Sequence, residues 1–169
     1  MAAISINDAV EQILAVIREA FEGVDRWSYF LDHGPQFGLL GTLRSLDAAT
    51  ASRLSGGKSG VYGAAGSGPG QASIAAHAQH VVFGLEVFAN WIKGVRANYD
   101  WDLSWAVSDV DEAAWAALLN RLQVGYADLR QAIEEHGTRS VESLGGGIGA
   151  IAHVAYHLGR IQEKLDAMG

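Results

Sequence analysis

The stretch IGAIAHVAYHLGRIQEKLDAM, residues 148–168, decides the fold. Its apolar residues recur at helical spacing, and it contains neither proline nor the alternating β-branched pattern of a strand. It is read as the last helix of the chain, beginning between Ser140 and Gly147. Within it, His153 and His157 stand four residues apart, on one helix face and about one turn from each other.

The same period recurs upstream. A first helix is expected from Ser5, with Asp8 three residues on as a capping box. Val10, Ile13, Leu14, Ile17 and Phe21 form its apolar stripe, which Gly23 interrupts. Residues 24–38, around Pro35 and Gly38, read as a connector. A shorter helix is expected over 39–54. Ser73 is a good N-cap for a helix over residues 74–98 that carries His77 and His80. An acidic, aromatic segment then reads as a loop packed by Trp101 and Trp105. The next helix, capped by Ser108 with Asp111 or by Asp109 with Glu112, runs through Trp115, Leu118, Leu119, Leu122, Tyr126, Leu129 and Ile133 to His136-Gly137. Four long helices and a short one predict an all-α, four-helix bundle in a single domain spanning residues 1–169. Residues 55–72, rich in glycine and serine, read as a long loop, either a lid or a solvated linker.

Composition narrows the chemistry. The 169-residue chain has no cysteine, so disulfides, thiolate ligands and a cysteine nucleophile are excluded. Any metal must be held by histidine or carboxylate. A net charge of −7 with scattered basic residues disfavours nucleic acid as a partner. No apolar run reaches the ~20 residues that span a bilayer. The start of the chain lacks a secretory signal pattern, so a cytoplasmic location is expected.

Two of the histidine contexts therefore stand out. His153 and His157 can converge on one ion, at about 2.0–2.1 Å if the metal is zinc. A histidine from a facing helix would complete three nitrogen ligands with open positions, the pattern of a catalytic rather than a structural site. His77 and His80 point about 60° apart on their helix. His80 is followed on its own face by Gly84, Val87 and Trp91, which reads as core, so it is the favoured third ligand. His77, nearer the helix start, is left for solvent or for a supporting contact, with a four-histidine site as the alternative. Ordinary helix histidines satisfied by water or carboxylates are the competing reading. Ala150, Gly149 and Gly146 on the His153 face are small enough to leave a ligand room above the metal. Arg160 continues that face and suits either a substrate carboxylate or a surface ion pair. Tyr156 suits either a hydrogen bond near the site or a core or interface position. His33 and His136, beside glycines near element ends, read as surface residues.

Other motifs fail on context. Gly57-Lys58-Ser59 lacks the earlier P-loop glycine, since Ser52 stands there, and no strand precedes it. Gly145-x-Gly147-x-x-Ala150 matches a dinucleotide fingerprint by letter only. The repeated Glu-x-x-His of a di-iron bundle and the His-Glu-x-x-His of a zincin are both absent.

The run Ser73-Ile-Ala-Ala-His77-Ala-Gln-His80, the acidic loop at Trp101 to Trp105, and Ala152-His153-Val-Ala-Tyr-His157-Leu-Gly159 together resemble the DinB-like superfamily. That resemblance implies an up-down four-helix bundle and a divalent metal, nickel or zinc, on His80, His153 and His157. It also implies frequent homodimers and, among relatives with activity, thiol-dependent transferases and isomerases that use a low-molecular-weight thiol. With no cysteine in the chain, such a thiol would be a co-substrate acting with a small-molecule substrate. The alternative is a non-catalytic, dimeric metal-binding or stress-associated bundle. The long Gly/Ser loop departs from simpler members.

Overall fold

The structure, a computed structural model, describes residues 5–54 and 72–169. Among these residues it is all-helical: α1 (Ile6–Glu22), α2 (Leu39–Arg44), α3 (Ala48–Ser52), α4 (Ile74–Ile92), α5 (Glu112–His136) and α6 (Val141–Asp166), with 3-10 turns at Pro35–Phe37 and Trp101–Trp105. No strand occurs among them; Val24 and Gly34 form an isolated bridge. The expected lid or linker at 55–72 lies, but for Ala72, outside the described residues.

Local chemistry sets most helix ends. Ser5 Oγ accepts the Asp8 N–H at 3.2 Å while the Asp8 carboxylate accepts the Ser5 N–H at 2.7 Å, completing the capping box. Ser73 Oγ accepts the Ala76 N–H at 3.1 Å, and Ser140 Oγ accepts the Ser143 N–H at 3.1 Å. The glycines at 145–147 therefore lie inside α6, not before it.

Three expected boundaries are corrected. The helix expected over 39–54 divides in two, because Asp47 Oδ1 takes the Thr50 N–H at 2.8 Å and starts a new helix after Ser45 and Leu46. The helix expected to reach Asn98 stops at Ile92. There Gly94 adopts φ +84°, and its N–H and that of Val95 bond back to the Trp91 and Asn90 carbonyls. Helix α5 is capped by Asp111, which accepts the Ala114 N–H at 2.7 Å, and not by Ser108 or Asp109.

The predicted apolar stripes become the core. Val10, Ile13, Ile17 and Phe21 of α1 meet Leu118, Leu122, Leu129 and Ile133 of α5 and Val154, Leu158 and Ile161 of α6 in one buried cluster. Helix α4 packs against both α5 and α6, and α1 packs against both as well. Because α4 is alanine-rich and buried almost all round, its backbone comes close to α6. Gly146 and Gly149 are two points of this closeness: a Cβ on them would sit 2.8 Å from Ile92 Cγ1 and 3.0 Å from Phe88 Cε1.

One feature of the connector had no sequence signal. Glu19, only 1% exposed, turns its carboxylate under residues 29–31. It accepts the backbone N–H groups of Tyr29 at 2.8 Å, Phe30 at 2.8 Å and Leu31 at 2.9 Å. A buried carboxylate is tolerable only when satisfied in this way.

Candidate metal centre

The close α4–α6 contact faces the two histidine pairs towards each other. His80, His153 and His157 each offer one ring nitrogen, and these atoms all lie within 4.8 Å of one another. Three histidines so placed could hold a metal ion. His77 is fully buried, His157 is 3% exposed and His80 7%.

The hydrogen bonds assign the protons. His80 Nδ1 lies 2.6 Å from Ser104 Oγ. That hydroxyl has one proton and donates it to the Trp101 carbonyl at 2.5 Å. The Ser104 oxygen is therefore the acceptor, Nδ1 of His80 carries the hydrogen, and the lone pair of the neutral ring sits on Nε2. His77 Nδ1 and His157 Nδ1 are 3.0 Å apart. For Nε2 of His157 to be a ligand, its Nδ1–H donates to His77. Such outer contacts orient metal-binding imidazoles and raise their basicity.

His153 differs from the other two. Both its ring nitrogens are buried and neither has a hydrogen-bond partner. An unsatisfied buried polar atom costs about 1–3 kcal/mol. The ring is held where it is by backbone proximity: a Cβ on Gly84 would lie 2.4 Å from His153 Cε1. A cation at the centre of the three rings would satisfy a nitrogen that nothing else satisfies, so the residues present fit a metal.

Electrostatics favours the neutral, ligating form. Burial, then repulsion from His153 and His77, lowers His80 to about 3. Burial lowers His153 to about 4. Burial first, then His153, His80, His77 and Arg160, pushes His157 far below the ordinary histidine range. Aromatic side chains pack around the rings. Trp105 stacks on His80 with centroids 4.0 Å apart and meets His77 edge-on at 5.4 Å. Trp101 and Phe88 flank His153 at 6.0 and 5.6 Å.

Several sequence expectations change here. His77 reaches no solvent; it joins the cluster by supporting His157. Gly146, Gly149 and Ala150 leave no space for a ligand, because Ile92 and Phe88 of α4 pack onto the two glycines and Ala150 is fully buried. Arg160 pairs with Glu163. Tyr156 is 53% exposed, with its ring edge-on to His157 at 4.9 Å. His33 is exposed as expected, whereas His136 is half-buried beside Glu135. Ser104 was not legible at all: it lies 24 residues from His80 in an unrelated segment, and no spacing rule connects them.

No protein-family model, no curated protein and no solved structure matches the chain.

Proposed function

We propose that this chain is a DinB-like protein that binds a divalent metal, nickel or zinc, on His80, His153 and His157, and uses it in thiol-dependent transfer or isomerisation of a small molecule. The observation that carries the reading is His153, a half-buried histidine whose two ring nitrogens are buried and unpartnered, beside two histidines whose ligand atoms lie within 4.8 Å. The packing of α4 and of α1 against both α5 and α6 supports an up-down four-helix bundle.

An ion at this position would supply a lowered pKa for a thiol or water at neutral pH. The chain's own residues do the rest. Ser104 and His77 fix the tautomers of His80 and His157, Gly84 admits the His153 ring, and Trp105 stacks on His80 and holds its plane. Because the chain has no cysteine, the thiol belongs to a cellular co-substrate. A cytoplasmic homodimer is part of the same reading; the exposed Val141, Ile148 and Tyr156 on α6 support a contact surface between copies.

The test is elemental analysis of protein purified without chelator and reloaded with nickel or zinc, beside His153→Ala and His157→Ala variants. About one metal per chain in the parent and little in the variants is expected. No metal after reloading would remove the proposal. A second reading rests on the 3.0 Å contact of His77 with His157: a four-histidine, non-catalytic site. Loss of all exchangeable water from the loaded metal would favour it.

A further inference from the structure

Beside the histidine cluster lies a second feature that the metal reading does not use. The end of α4 and the chain that follows it line a pocket of about 390 Å³, open to solvent on one side and walled by Val87, Phe88, Trp91, Val95, Tyr99 and Trp101. Its size is that of a small-molecule site. Two of its walls are shared with the metal centre. Phe88 and Trp101 face the cavity and also flank the His153 ring, 5.6 and 6.0 Å away. The cavity and the unpartnered histidine are therefore separated by one layer of aromatic side chains.

The lining specifies the ligand. Four of those six residues are aromatic, and rings pack on rings with a geometric preference worth more than their buried area alone. The one charged residue at the cavity is Arg96. Its Nη1 donates to the Trp91 carbonyl at 2.9 Å, and its guanidinium sits over the Trp91 indole at 5.5 Å. Arg96 is thus turned back onto the wall at Trp91.

We propose that this cavity is a binding site for the aromatic part of a small molecule, an uncharged ring bearing a thiol or other polar end directed past Phe88 and Trp101 towards His153. The polar end rests on the metal reading above; the ring site stands on the cavity alone. The molecule is thereby defined by class: a single aromatic ring on a short linker.

The probes are phenylmethanethiol and ethanethiol, which differ in the ring, titrated calorimetrically into metal-loaded and metal-stripped protein. Burying a phenyl ring predicts at least about tenfold tighter binding of phenylmethanethiol to the loaded protein. The stripped protein should keep the ring preference at lower overall affinity. Ala97→Trp, at an exposed lining position, fills the cavity and should abolish the preference without changing metal content. Trp91→Ala, whose side chain is 47% exposed, removes a wall and should weaken phenylmethanethiol several-fold. Equal binding of the two thiols, or a ring preference untouched by both variants, would overturn the ring site. If the protein takes up no metal yet the stripped form still prefers the ring, the metal reading fails and the ring site stands.

Discussion

His80 Nδ1 lies 2.6 Å from Ser104 Oγ, and the hydroxyl's own proton is already given to the Trp101 carbonyl. One short relay therefore decides which nitrogen of His80 is free. Ser104→Ala would leave Nδ1 without its acceptor and let the ring change tautomer or turn. Metal affinity should fall about 10–100-fold, the usual cost of losing such a partner. Competition with a chromophoric chelator measures it, and circular dichroism should show the helices intact. Unchanged affinity would mean that Ser104 does not orient the ring.

Gly84→Ala inverts an ordinary rule. In a helix interior alanine is normally more stable than glycine by roughly 0.5–1 kcal/mol. Here the new methyl would lie 2.4 Å from His153 Cε1, so the ring must move. The variant should lose metal affinity and gain no stability. Thermal unfolding with and without metal checks both; a stabilised variant with full affinity would show that His153 does not need this approach.

The lowered histidines predict a pH window for the metal-free protein. An unfolded histidine titrates near 6.5, whereas folded His153 and His80 stay neutral until about 4 and about 3. Between those values the unfolded state binds more protons, so stability is full above about pH 6.5 and declines as the pH falls towards 3. Urea midpoints at pH 7.5, 6 and 4.5 should drop in that order. A His153→Gln, His157→Gln double variant should flatten the profile.

Glu19 tests the connector rather than the histidine cluster. Its carboxylate satisfies the N–H groups of residues 29, 30 and 31 from a site that is 1% exposed. Glu19→Ala should destabilise by about 1–3 kcal/mol, since three part-buried N–H groups would lose their acceptor. Limited proteolysis should then cut within 24–38, and the metal content of folded protein should be unchanged.

The local rules succeeded where a few neighbouring residues decide the outcome. The capping box at Ser5 and Asp8, the N-cap at Ser73, the apolar stripe of α1 and the common face of His153 and His157 follow from helical geometry within one or two turns. The errors share a cause as well. Asp47 and Gly94 each offered a boundary that competed with a longer periodic run, and Asp111 competed with neighbouring cap residues; side-chain hydrogen bonds or a left-handed glycine settled each. Gly146 and Gly149 read as open space because an absent side chain looks the same in sequence whether ligand or neighbouring helix fills the gap.

By itself, the sequence determined that the chain forms helices, that it offers histidines rather than thiols, and that His153 and His157 share a face, because each depends on composition or on a 3.6-residue repeat. Only the tertiary structure decided that Ser104 holds His80, that His77 supports His157, that Gly84 makes room for His153, and that an aromatic cavity adjoins the cluster. These depend on distances between segments far apart in the chain, which are set by how α4 packs against α6 and which no local periodicity encodes.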